Sequence, residues 1–445
     1  MEADTRIIGN VHSARTEVPA LGRALNLQSF WAIADQGVVS LGNFLSTIIL
    51  ARALTPTAYG VYAVVLGLIL LLNVLPASLI SYPLSVRLAA RDDSSAAELV
   101  IPALALTALL ALPQILVLFA ASMLISSKGL GLSTALCLLV WQLQETTRRA
   151  LMARLAFSAA LITDAISYLG QAALMWLLAR NGQLTLEVTF GVIGMTCGLA
   201  AIAQLWLLRA RWRMRLNLIQ HASAFWMTGR WVLGTNLLAN FNIQAVPLAI
   251  FLFRGPADAA GFQAVSNLIG ISHPIMLSLG NFLIPAVARV RAREGLVAAR
   301  RIAVIYSGRA GLLLLPLFLL LLILPQPLLG LFYGAASPYV ELAWPLRLFA
   351  FAYAVTYWAM VTRFFLIALE AKNRAQFLFE VCWSVTFIAL LIPLTVRWSL
   401  AGAIIATTLS QGTRIVSNLM LTRRLTPESE PPAIATGLTR ERLVT

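Results

Sequence analysis

Arg148 and Arg363 stand inside long apolar runs, each directly after a threonine. A guanidinium is planar, always charged and bidentate, so two of them facing one cavity would bind phosphate. Arg230 and Arg414, toward the ends of other apolar runs, extend this basic set. Anchoring at a membrane surface is equally open to them. Asp35, Asp164, Glu380 and His273 also interrupt apolar runs. An ionisable side chain inside a membrane is expensive and marks a task, so these four are the candidates to carry H+ or hold Na+. Asn43 shares a helical face with Gln36, Ser40 and Thr47, and Asn236, Asn240 and Gln244 share another. Both faces read either as the polar wall of a cavity or as hydrogen bonding between helices.

Other chemistry is missing. There is no Walker loop, no zincin helix and no Gly-x-Ser-x-Gly elbow. The expectation is therefore a protein that is not an enzyme, has no cofactor and no metal site, and is driven by an ion gradient, of Na+ or H+, or by the substrate's own gradient. Cys137, Cys197 and Cys382 all fall in apolar runs without metal spacing and are expected to be small buried hydrophobes.

The elements that must hold these residues are membrane helices. Of 445 residues, 60% are hydrophobic and only 11% are charged, against about 25% charged in a soluble domain. The net charge of +15 is spread in short basic loops rather than gathered into a patch, which argues for membrane orientation and against nucleic acid. Apolar stretches at 29–50, 58–79, 99–125, 131–152, 158–179, 186–208, 225–253, 259–287, 302–325, 339–368, 375–396 and 399–422 predict twelve spans. With the N-terminus inside, only Arg52, Lys128, Arg180, Arg254, Arg347 and Arg397 of the 33 Lys and Arg fall outside. That bias predicts both termini in the cytoplasm. Residues 1–28 read as a cytoplasmic N-terminal segment and not as a signal peptide. Residues 29–208 read as a first lobe and 225–422 as a second. Residues 209–224, with Arg209, Arg211, Arg213 and Arg215, read as an amphipathic linker, and 423–445 as a disordered tail.

The lobes repeat each other in the same direction. Ala51 to Ala63 (Ala-Arg-Ala-Leu-Thr-Pro-Thr-Ala-Tyr-Gly-Val-Tyr-Ala) matches Phe253 to Ala264. Pro83, Arg87 and Arg91 match Pro285, Arg289 and Arg293; Leu112-Pro113 matches Leu315-Pro316; Thr147-Arg148 matches Thr362-Arg363; Asp164 matches Glu380. Their shared order predicts an all-α fold of two six-helix bundles related by a parallel repeat.

These motifs, with Ile284 to Arg289 and Leu329 to Gly334, resemble the polysaccharide transporters over roughly residues 30–425. Those are the Wzx-type lipid-linked oligosaccharide flippases of the MATE-like (MOP) superfamily. The resemblance implies two lobes in a V, alternating access and a cationic lumen for an undecaprenyl-pyrophosphate-linked repeat unit. It also implies a bacterial inner membrane, contact with membrane lipids, and a polysaccharide polymerase with chain-length and export machinery as partners. Two alternatives stay open. A MATE-type cation-coupled multidrug exporter would want an acid-rich cavity. A membrane glycosyltransferase or polymerase would want a long external loop.

Overall fold

The computed structural model describes residues 4–89, 93–125, 127–208, 217–369 and 373–423. The basic linker residues Arg209 to Arg215 and the tail beyond Arg423 lie outside the described residues. The described chain is helical, with no strand among the described residues. A segment in lipid must satisfy its backbone internally, and the helix does so for a single chain.

The elements run in order as follows. Helices α1 (Asp4–Ala53) and α2 (Pro56–Pro76) are followed by a π turn, Ala77–Ser81, and α3 (Tyr82–Ala89). Next come α4 (Asp93–Ile125) and α5 (Lys128–Ala153). A second π turn, Ala165–Leu169, joins α6 (Phe157–Asp164) to α7 (Gly170–Arg180). Then follow α8 (Leu186–Leu207), α9 (Leu218–Arg254) and α10 (Pro256–Ile269). The chain ends with α11 (His273–Ile323), α12 (Pro325–Tyr333), α13 (Ala343–Ala368) and α14 (Asn373–Arg423). Helix α1 begins well before the first expected span, so much of the N-terminal segment is helical.

Among the described residues nine stretches are long and apolar enough to cross a membrane, against the twelve expected. The difference has physical causes. Pro256–Ile323 is one stretch of 68 residues, yet Gly295 inside it has φ 85 and bends α11. Glu380–Arg423 is one stretch, yet Trp398 and Ser399 bend α14. Helix α5 is absent from the nine because Gln142, Gln144, Glu145, Arg148 and Arg149 make it polar.

The repeated motif punctuates the helices. Thr55 caps α2 by accepting from the Ala58 N–H at 3.3 Å, and Pro56 takes the first turn, where no N–H is needed. In the second copy Gly255, at φ 93, ends α9, and Pro256 opens α10. The two copies touch. A Cβ on Gly60 would fall 1.7 Å from the Pro256 carbonyl oxygen, so only glycine fits there.

The chain forms two compact units. The first holds Met1–Asn267 and Phe332–Tyr339, the second Leu268–Leu331 and Val340–Thr445. This division falls later than the linker at 209–224 because α9 lies tightly along α2. At Gly229 of α9 a Cβ would stand 2.5 Å from the Ser78 carbonyl oxygen.

Candidate functional site

In the first unit, Asp35, Arg148 and Asp164 converge from α1, α5 and the end of α6. Gly42 presses α1 onto the π turn, where a Cβ would meet Tyr168 at 2.6 Å. Asp35, two turns earlier on α1, is thereby carried to the level of Asp164. Ser46 accepts from Gln171 at 3.1 Å and joins α1 to α7 one turn further along. Across the helix bundle Gln204 of α8 donates to Thr163 at 3.0 Å and accepts from Thr147 at 2.5 Å. This lattice fixes the rotation of α5 and aims Arg148 inward.

Every edge of the Arg148 guanidinium is taken. Nε donates to Asp164 Oδ2, Nη2 to Asp35 Oδ2 at 3.0 Å, and Nη1 to Glu145 Oε2 at 3.5 Å. Glu145 also accepts from Arg149 at 2.6 Å, and Arg149 is half exposed. The Arg148 side chain is 9% exposed and those of Asp35 and Asp164 still less. Three carboxylates face two guanidiniums, leaving one surplus negative charge. The buried atoms left over are acceptors, Asp35 Oδ1 and Asp164 Oδ1, which have no hydrogen-bond partner.

The second unit builds the same pair with the opposite supplement. Arg363 of α13 stands 3.3 Å from Glu380 Oε1, matching Arg148 on Asp164 in the repeat. The third member is an arginine. Arg414 Nη2 lies 2.6 Å from both oxygens of Glu380. Its Cζ stands 4.4 Å from the centre of the Trp383 ring. Two guanidiniums share one carboxylate, so the surplus is positive. Trp383 did not figure among the expected site residues. The signal for it was its place three residues after Glu380, on the same helical face.

The remaining candidates scatter. His273 pairs with the Tyr353 hydroxyl at 2.9 Å, away from any carboxylate hydrogen bond. Asn236 donates to Ser78 at 3.1 Å, and Asn240 donates to the Asn236 carbonyl at 2.9 Å. Both are therefore engaged in packing α9. Gln244 faces Gly67 of α2, with Oε1 2.9 Å from where a Cβ would be. Asn43 is exposed. Arg230 is exposed and lies over Trp231 at 5.2 Å. Cys137 and Cys197 are buried as expected, but Cys382 is exposed, because α14 turns that side outward.

No family model matches the sequence, and no curated relative matches it. Solved structures do. The lipid II flippase MurJ, in an inward closed conformation, aligns over 88% of this chain and 87% of its own with TM-score 0.69 and 13% identity. An inward-facing multidrug resistance MATE family transporter of the MOP superfamily aligns over 89% of this chain and 100% of its own, with TM-score 0.62 and 13% identity. The MATE multidrug transporter DinF-BH aligns over 90% and 95%, with TM-score 0.61 and 16% identity. The chain is a multi-pass membrane protein with the fold of the MOP-superfamily transporters and flippases.

Proposed function

We propose that this protein is a flippase that moves an undecaprenyl-pyrophosphate-linked oligosaccharide across the bacterial inner membrane for polysaccharide assembly. The observation that carries the reading is the sign of the two charged clusters. The Asp35, Arg148, Asp164 and Glu145 cluster has surplus negative charge and leftover acceptors, which suits H+ or Na+. The Arg363, Arg414 and Glu380 cluster has surplus positive charge, which suits an anionic cargo. An exporter of cationic drugs has no use for the second cluster. In this reading Arg148 belongs to the coupling site, its charge being consumed by three carboxylates, and the cargo role passes to Arg363 and Arg414. Arg230 and Asn43, both exposed, would contribute polar surface to the transport path, while Asn236, Asn240 and Gln244 hold α9 against its neighbours.

The reading includes twelve spans with both termini cytoplasmic, in two six-helix bundles at 29–208 and 225–422 joined by the linker. Support comes from dividing the stretches at Gly295 and Ser399 and adding α5, which turns nine candidates into twelve. Alternating access of the two bundles would carry the headgroup across. The test is complementation of a flippase-deficient bacterial strain. Restored polymer by the wild type, lost in Arg363→Gln with normal membrane insertion, supports the reading. Full export by that variant would contradict it.

A further inference from the structure

Helices α6 and α8 of the first unit both belong to stretches apolar enough to cross a membrane. They run past each other so that the start of α6 meets the end of α8, and a groove of about 340 Å3 lies between them. Its walls are Ile162, Ile166, Trp206 and Leu207, and Ser158 stands at one end. Its depth comes from two small residues, Ala159 and Ala203. Thr163 adds no polarity, because its hydroxyl shares its proton between the Ala159 and Ala160 carbonyls at 3.1 and 2.9 Å and accepts from Gln204 at 3.0 Å. From Ser158 to Ile166 the helical rise makes the groove about 12 Å long. The walls face outward, with Ile162 62% and Trp206 78% exposed. In a membrane-spanning chain that exposure is to lipid, so hydrocarbon fills the groove.

One end of the groove is basic and rich in donors. Leu155, at φ 57, turns the chain between α5 and α6. Arg154 is left beside the end of α8, where its Nη1 donates to the Leu208 carbonyl at 3.3 Å. Helix α6 starts at the same end without a side-chain cap, because Ala156 offers no acceptor to the first N–H groups. Ser158 adds a hydroxyl, and none of the described residues lining the groove is acidic. Trp206 lies in the last turn of α8, and tryptophan concentrates at headgroup level. The sequence then leaves α8 through Arg209, Arg211, Arg213 and Arg215, which lie outside the described residues. Their charge draws anionic lipid to this side of the membrane. The occupant is therefore amphipathic, with a chain along the apolar walls and a negative group at the Arg154 end. A zwitterionic headgroup brings a cation along with its phosphate, which Arg154 opposes.

We infer that the groove between α6 and α8 binds one anionic phospholipid, with an acyl chain laid on Ala159 and Ala203 and the phosphate held at Arg154 and the start of α6. The site requires only a membrane-spanning chain and does not rest on the flippase reading. Thr163, on the groove floor, directly precedes Asp164, so the lipid backs the helix that carries this buried acid.

The experiment is native mass spectrometry of the purified, delipidated full-length protein, with phosphatidylglycerol and phosphatidylcholine of identical acyl chains as probes. The wild type should take up its first phosphatidylglycerol roughly tenfold more tightly than phosphatidylcholine. Arg154→Gln keeps a donor for the Leu208 carbonyl and should remove that preference. Ala203→Phe fills the groove without changing charge and should weaken the first site several-fold for both lipids. Ala159→Leu, which fills the groove from the opposite wall, should act alike. Thermal unfolding gives a second readout: phosphatidylglycerol should raise the midpoint of the wild type and not that of either filled variant. Equal affinity for the two lipids, a preference that survives Arg154→Gln, or a first site unchanged in both filled variants overturns the site. Tighter binding of undecaprenyl phosphate than of phosphatidylglycerol, lost in the filled variants, overturns it too, because the groove would then take cargo. None of these outcomes depends on whether complementation succeeds.

Discussion

Arg363 stands 3.3 Å from Glu380, at the positions where the repeat puts Arg148 beside Asp164. Both pairs join a helix to the one that follows it in sequence. What differs is the third partner, an acid from α1 in one unit and an arginine from the end of α14 in the other. The same kind of pair thus stands beside a third partner of opposite sign in each unit.

The Arg148 network should be unforgiving to single changes. Arg148→Ala strands Asp35 and Asp164 at a buried position, and loss of one partner from such a network typically costs about 3–5 kcal/mol. Thermal unfolding in detergent should show a large drop in midpoint. An Arg148→Gln, Asp35→Asn, Asp164→Asn triple variant, which removes the charges together, should recover most of it.

Coupling should depend on the acids. Asp35→Asn, Asp164→Asn and Glu380→Gln, each reconstituted, should respond differently to an imposed H+ or Na+ gradient. Loss of gradient dependence is expected at Asp35 or Asp164, whose leftover oxygens are acceptors. Glu380→Gln should instead weaken cargo binding, because Arg414 loses its anchor. Unchanged gradient dependence in all three would rule out these residues as the coupling site.

The contact between the two motif copies sets a steric prediction. Gly60→Val places carbon against the Pro256 carbonyl, and the overlap is with backbone, so side-chain motion cannot relieve it. The loss should exceed the about 1–3 kcal/mol typical of an overpacked core, read as loss of folded protein by size-exclusion chromatography. Gly37→Ala meets nothing within 4 Å and should be neutral or slightly stabilising.

Topology can be checked directly. Reporter fusions after residues 128 and 397 should sit outside the cytoplasm, and fusions after 215 and 424 inside. A cytoplasmic signal at residue 128 would break the assigned orientation.

The helices were legible because apolar runs and Pro or Gly breaks are local signals. Thr55-Pro56 and Gly255-Pro256 both mark helix starts where the repeat placed them. Among the described residues the structure gives nine candidate stretches against the twelve expected, since the bends at Gly295 and Ser399 leave helix on both sides. The charged residues were legible one by one, because each interrupts an apolar run. Their partnerships were not. Asp35 and Arg148 are 113 residues apart, and nothing local says that they meet. The repeat suggested that Arg148 and Arg363 act alike, yet Arg148 meets Asp35, Glu145 and Asp164, whereas among the described residues Arg363 meets only Glu380, which Arg414 shares. Trp383 went unread because an aromatic side chain in an apolar helix looks like packing until a guanidinium is seen against it.

The most direct test is transport itself. Purified protein in liposomes, loaded with a fluorescent undecaprenyl-pyrophosphate-linked oligosaccharide, can be probed by quenching of the outer leaflet only. The account predicts that quenching goes beyond the outer-leaflet fraction with wild-type protein, and falls to the protein-free level with Arg363→Gln and with Arg414→Gln. Quenching at the protein-free level with the wild type under either ion gradient, alongside gradient-driven export of a cationic dye, would contradict it.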